Sequence, residues 1–229
     1  MKKLIFVLII PSVIICQNFD FNLHSDQCQD CENYARARIG FSSLWLSESP
    51  IINLMSKQRI IIQTGLASTI KKQGGEYWNY PNLDVGIKAT NNLAVTIKIF
   101  GFKAGNDSPQ VIGGGLHYAY GTKDSLNWVT SLQRVDLKGL NHFRLSSLTL
   151  DIKKYMIWRS IQFRIGLGSN FYKQRTYIHD PSIPQKLEGQ INFFGIDALY
   201  NYSIFNIGIG AKMHPNKSII TFFIQKEIY

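Results

Sequence analysis

The chain has 229 residues, of which 45% are hydrophobic, 13% aromatic and only 17% charged, with a formal net charge of +10. So basic a balance invites anionic partners, but no run of lysine and arginine is dense enough to point to nucleic acid. Beyond residue 16 no segment approaches the roughly 18 apolar residues of a membrane-spanning helix, which excludes helical spanning and leaves spanning by strands open.

Residues 1–16, MKKLIFVLIIPSVIIC, place two lysines before a short apolar run. That is the layout of a secretory signal peptide, and Pro11 argues further against a permanent membrane helix. The reading is export, with cleavage after Cys16. A lipidated Cys16 is the alternative, and the bulky Ile15 before it weighs against that.

Residues 17–57 read as an irregular N-terminal arm, periplasmic or luminal. Cys28 and Cys31 stand in CxxC spacing and are the cysteines left after cleavage. In an oxidising compartment this predicts a small disulfide loop. A metal site would need two further ligands, so none is expected. The stretch from Ala35 to Lys57 reads as a short strand, or as a helix broken at Pro50. Its Ala35-Arg36-Ala37-Arg38-Ile39-Gly40 resembles the opening of outer-membrane barrels of the fatty-acid-transporter and type IX secretion types.

From Gln58 onward apolar and polar residues alternate with period two, the mark of strands with two unlike faces. Ten runs follow, near 58–69, 81–90, 92–103, 110–121, 125–137, 142–153, 159–172, 189–201, 204–214 and 217–228. The first, fifth and sixth runs are less clean, and the sixth changes phase near Ser146. Turn chemistry at Asn91 sets Asp84 opposite Lys98. The turn at Pro215-Asn216 sets Ala211 opposite Ile220, Ile209 opposite Phe222 and Gly208 opposite Phe223. Connections alternate between tight (near 91, 121–125, 154–158 and 201–203) and mostly longer (70–80, 103–109 and 173–188). Up-and-down transmembrane barrels have short periplasmic turns and longer external loops, with both termini in the periplasm when the strand count is even.

Alternation alone does not say which face is outside. The polar face is rich in glycine (Gly86, Gly113, Gly115, Gly166, Gly168, Gly208, Gly210), which suits a narrow lumen better than a water-facing sheet. Tyr118, Tyr120, Trp128, Tyr155, Trp158, Tyr200 and Tyr202 fall near the tight turns, where a membrane barrel carries an interfacial aromatic ring. Tyr77, Trp78, Tyr80, Tyr172 and Tyr177 would gather at the opposite rim. The region from Gln58 therefore resembles bacterial outer-membrane β-barrel proteins. The resemblance implies an all-β fold, an antiparallel up-and-down transmembrane barrel of about ten strands over residues 58–229. It also implies a Gram-negative outer-membrane address, contact with outer-membrane lipid and lipopolysaccharide, and insertion by machinery that reads the terminal aromatic Tyr229. A secretion-system or envelope protein partner is a further expectation.

The inward face carries Asp84, Lys88, Lys98, His117, Arg164, Asp197 and Lys212. They read as charges that neutralise one another and plug a small barrel, with Arg164 facing Asp197. The alternative is a narrow passive channel lined by cations. No Gly-x-Ser-x-Gly elbow is present, and His179-Asp180-Pro181-Ser182 reads as a turn. The expectation is a non-enzymatic outer-membrane barrel, without cofactor, in a structural, adhesive or secretion-associated role. A secreted soluble lipid-binding barrel is the third reading.

Overall fold

The structure, a computed structural model, describes residues 19–23, 31–54, 56–73, 75–122, 125–178 and 183–228. Residues 1–16, read above as a signal peptide, Cys28, residues 179–182 and Tyr229 lie outside the described residues. Ten strands form: β1 (Ile60–Thr69), β2 (Asn79–Lys88), β3 (Leu93–Gly101), β4 (Gln110–Thr122), β5 (Ser125–Lys138), β6 (Phe143–Trp158), β7 (Ile161–Thr176), β8 (Lys186–Tyr202), β9 (Phe205–Met213) and β10 (Ile219–Ile228). Each pairs antiparallel with its neighbour in sequence, and β1 pairs with β10 to close the barrel. Closure leaves no sheet edge unpaired.

Turn lengths give the barrel two unlike ends. Residues 159–160 and 203–204 suffice to join β6 to β7 and β8 to β9. Arg159 and Ser203, at φ 55° and 54°, adopt the left-handed conformation that two-residue hairpins require. The opposite end carries the 70–78, 102–109 and 177–185 connections. The final hairpin has the register its alternation predicts, with Ala211 against Ile220, Ile209 against Phe222 and Gly208 against Phe223. The Phe223 ring lies over Gly208, where an added Cβ would collide with it.

The apolar side chains point outward. Leu167 is 63% exposed and Phe222 56%, whereas Lys98 and Arg164 on the other face are 2% and 3% exposed. A soluble lipid-binding barrel would be arranged the other way round. Around the wall Leu116, Leu132, Leu150, Ile207 and Ile209 continue this outer apolar belt.

The described residues of the arm lie inside the barrel. Helix α1 (Cys31–Leu46) has Glu32 in its first turn, favourable at a helix N-terminus. Glu32 also pairs with Arg36 at 2.6 Å. From Arg38 to Leu46 every residue is buried, as a helix surrounded by protein requires. Mid-helix Gly40 costs about 1 kcal/mol of intrinsic helicity. It leaves room for Lys217 of the β9–β10 loop, whose Cδ would lie 2.7 Å from an added Cβ. The helix ends at Leu46, four residues before Pro50, and residues 47–54 continue buried to the tight-turn end.

Helix α1 sits at the loop-bearing end, since its neighbours there include Trp78, Lys217 and Asn170. The N-terminal Phe19, Phe21 and Leu23 pack at the same end, with Leu23 N–H donating to His142 Nδ1 at 3.4 Å. The expectation that both ends of the chain lie on the tight-turn side is therefore corrected. β10 finishes there, but the described N-terminal residues lie at the opposite end, because the arm threads the lumen before β1 begins.

The irregular sixth run also has a physical explanation. In β6 buried and exposed positions alternate without a break from Phe143 to Tyr155. What changes is the environment. Near the loops the inward positions Phe143 and Leu145 pack on the arm, while outward Arg144 meets water. Lower down the outward positions Leu148, Leu150 and Ile152 are apolar and inward Thr149 and Asp151 are polar.

Single cysteines at Ile209 and Leu167 are expected to react with a bilayer-confined thiol probe and to resist a water-soluble one. Cysteine at Thr149 is expected to react with neither, since that position is buried in the lumen. Labelling of Ile209→Cys by the aqueous reagent alone would mean that the outer belt does not face lipid.

Candidate functional site

The lumen is the place where charged and polar side chains converge. An extended chain crossing a barrel brings backbone groups that have no strand partner, and buried backbone groups need one. Wall side chains supply it. Gln133 Nε2 donates to the carbonyls of Leu46 and Glu48 at 2.8 and 3.0 Å. Arg164 donates to the carbonyls of Pro50 and Ser49 at 3.0 and 3.4 Å. Ile51 N–H donates to Gln63 Oε1 at 3.3 Å. Lys88 Nζ donates to the carbonyls of Asn53, at 3.3 Å, and Ser56.

The ionic groups close among themselves. Arg164 Nη2 lies 2.8 Å from Asp197 Oδ2, and Lys153 Nζ lies 3.2 Å from the same oxygen. Lys153 also approaches Asp151 at 3.9 Å, and Ser131 donates to Asp151 at 2.6 Å. Lys98 meets Asp84 at 3.1 Å and Asn82 at 2.6 Å. Lys212 meets Glu48 of the arm at 3.6 Å, donates to Ser47 Oγ at 2.7 Å and lies over the Phe193 ring. Lys98, Lys153, Arg164 and Lys212 thus stand against Asp84, Asp151, Asp197 and Glu48, so these pairs balance rather than leaving a cation-lined path. His117 stands apart from them, with Nε2 3.3 Å from Thr96 Oγ1.

Nearer the loops the filling is aromatic. Trp45 stacks on Tyr80 with centroids 5.0 Å apart and donates from Nε1 to the Pro81 carbonyl at 2.9 Å. Phe21 packs against both rings. The Arg38 guanidinium lies 3.6 Å from the Trp78 ring centroid, a cation–π contact in a desolvated setting. Asn170 is bonded twice to Ser43 of the helix, each at 2.8 Å. Outside the strands, burial lowers the Lys217 ammonium below its ordinary pKa.

All seven residues read from the sequence as lumen-lining, Asp84, Lys88, Lys98, His117, Arg164, Asp197 and Lys212, are buried in the barrel. The structure brings Asp84 to Lys98 and Arg164 to Asp197, but Lys88 and Lys212 bind the arm, Lys212 lying also over the Phe193 ring of β8. Sequence reasoning missed Glu48, which belongs to no strand, and Lys153, which stood at the end of the run that changes phase. Of the expected interfacial aromatics, Tyr118, Trp128, Trp158, Tyr200 and Tyr202 are exposed and Tyr120 is half-buried beside Tyr118. Tyr155 is a correction. β6 runs on to Trp158, so Tyr155 shares the inward parity of Asp151 and Lys153, is 8% exposed and donates its hydroxyl proton to Gln162 Oε1. Trp78 and Tyr80 are likewise buried against the arm rather than at an outer rim. Cys31 opens α1 and is disulfide-bonded.

No family model matches the chain, and no curated protein does. Among solved structures it is similar to Ail, the attachment invasion locus protein of Yersinia pestis, at 15% identity and a TM-score of 0.28, over 75% of this chain and 98% of that one. The translocator domain of autotransporter NalP from Neisseria meningitidis matches at 9% identity and 0.38, over 86% and 95%. The Ralstonia pickettii toluene transporter TbuX matches at 8% and 0.37, over 82% and 94%. These neighbours are outer-membrane β-barrels, and at such scores none lends its role to this chain.

The Arg164–Asp197 pair sets a quantitative expectation. Asp197→Asn is expected to lower stability by about 3–5 kcal/mol, the scale for breaking a fully buried pair. It would be read as a lower temperature of the heat-modifiable gel shift. Arg164→Gln combined with it should restore part of that loss, although the carbonyls of Ser49 and Pro50 then lose a charged donor. A double-mutant cycle without coupling energy would mean that the two charges are hydrated independently.

Proposed function

We propose that the protein is a non-enzymatic outer-membrane barrel that is sealed by its own N-terminal arm and works as a scaffold for what it carries at the loop-bearing end. The observation that carries this reading is the threaded lumen. Residues 38–54 are buried nearly throughout, and their backbone is held by Gln133, Arg164, Lys88 and Gln63. A conducting path needs hydrated, exchangeable contacts along a continuous opening. Here the charges are spent on one another and on the arm.

The outer-membrane address is supported by the outward apolar belt on a closed barrel, which is the arrangement a lipid-facing barrel needs. Lipid would meet Leu116, Leu132, Leu150, Leu167 and Ile209, and the exposed Tyr118, Trp128, Trp158 and Tyr200 would sit at the periplasmic interface. Insertion would depend on the cell's barrel-insertion machinery. Phe19, Phe21, Leu23 and α1 fill the barrel at the loop end and so support the loops of the outer face from within. An adhesive or secretion-associated role fits a barrel whose outer face is built from loops and a chain segment delivered through its own lumen.

The reconstituted full-length protein is expected to be electrically silent in planar bilayers at moderate voltage. Ohmic steps from the unaltered chain would overturn the sealed-scaffold reading and support a passive channel.

A further inference from the structure

The strand register defines a row of outward side chains at the loop-bearing end. Arg144 on β6 lies directly opposite Arg175 on β7, and Arg175 directly opposite Lys186 on β8. On β5, Lys138 stands one step beyond the Leu137–Leu145 pair, which brings it beside Arg144. All four are exposed. Neighbouring strands lie about 4.8 Å apart, so these cations occupy four consecutive strands within roughly 15 Å. Like charges directly opposite one another destabilise a sheet.

Little within the protein offsets this. Glu188 takes Lys186 at 3.0 Å and Lys173 at 2.9 Å. Among the described residues no carboxylate pairs with Lys138, Arg144 or Arg175. A groove of about 440 Å³ runs along the row, and Arg134 and Lys173 add to its lining, with Asp136 as the acidic member. Four residues closer to the apolar belt, Leu148 on β6 pairs with Phe171 on β7, both exposed. The groove they line shares Arg134, Ser146 and Lys173 with the cationic one. Four residues of strand correspond to about 13 Å, and the Ser146–Lys173 pair lies between. One stretch of wall therefore presents guanidinium and ammonium groups above and, beyond Ser146 and Lys173, apolar side chains below.

We infer that this wall, on β5 to β8, binds the phosphorylated headgroup of a glycolipid in the outer leaflet. Phosphate would sit on Arg144, Arg175 and Lys138, and acyl chains would lie along Phe171 and Leu148. Guanidinium forks match phosphate oxygens in bidentate geometry, and the anion relieves the repulsion along the row. A free anion would do the same for the charges but would leave the adjoining apolar groove unused. The inference rests on the membrane reading above.

The test uses the full chain in non-denaturing micelles, titrated with diphosphorylated lipid A, with the same lipid dephosphorylated, and with inorganic pyrophosphate. Retention is read by native mass spectrometry. Heat-modifiable migration and protease protection in liposomes report insertion separately. Lipid A is expected to be retained at least tenfold more strongly than either comparison ligand. Arg144→Gln with Arg175→Gln is expected to lower that retention at least tenfold and to leave insertion unchanged, because both side chains lie on the exposed wall. Equal retention of the dephosphorylated lipid, or no loss in the double variant, overturns the site. Pyrophosphate binding as tightly as lipid A overturns the lipid as occupant. A chain that inserts but does not bind overturns this inference alone. A chain that fails to insert overturns the membrane reading and the inference with it.

Discussion

The structure depends on how an extended, unpaired chain is accommodated inside a closed barrel. Buried carbonyls without partners are costly, and residues 46–56 bring several. The wall answers with long side chains that can reach across: Gln133, Arg164 and Lys88 each bind carbonyls of the arm. Arg164 can do this because Asp197 holds its charge at 2.8 Å. Without the carboxylate, a guanidinium buried to this degree would carry an uncompensated charge. The ion pairs therefore fix the arm as well as one another, and Glu48 and Ser47 return the favour by taking Lys212.

The arm also changes what the barrel is, along its length. At the level of the outer apolar belt the interior is mainly polar and ionic, with small apolar clusters about Ile51 and Ile52. Nearer the loops the interior becomes an ordinary protein core. There Trp45, Phe21, Phe41 and Leu44 of the arm pack with Val135, Leu137, Phe143 and Leu145 of the wall. At that same level the outer wall is charged. The barrel is inside-out in its belt and conventional above it, and helix α1 makes the second part stable by filling it.

This division explains how residues far apart in sequence form one basic surface. Lys138, Arg144, Arg175 and Lys186 occupy ends of four strands beyond the outer apolar belt, on the outward face. None of them lies in a dense basic run of the sequence. Antiparallel pairing puts them side by side, and the hairpin connecting β7 to β8 brings Arg175 to Lys186.

Much of the barrel was legible in the sequence because the period-two alternation is local. Closely spaced turn residues fix a hairpin's register, so Asp84 could be set opposite Lys98, and Ile209 opposite Phe222, without any tertiary information. Strand number follows from the same parity; the outward direction of the apolar face, and with it the inward direction of Arg164 and Asp197, needed the glycine-rich polar face and the placing of the aromatics as well. What the sequence did not reveal lies where parity ceases to report a single environment. Tyr155 was misassigned because the strand continued past the residues read as a turn. The apparent phase change in β6 arose because inside and outside exchange polarity while the backbone does not. The helix, the lumen-threading path and the role of Glu48 were decided by tertiary structure alone. The arm carries no period of its own that names its surroundings, and its contacts are made with strands up to 171 residues away. Only closure of the barrel creates the cavity that α1 fills, and only that cavity makes burial of Arg38, Gly40 and Ser43 on one helix compatible with a folded chain.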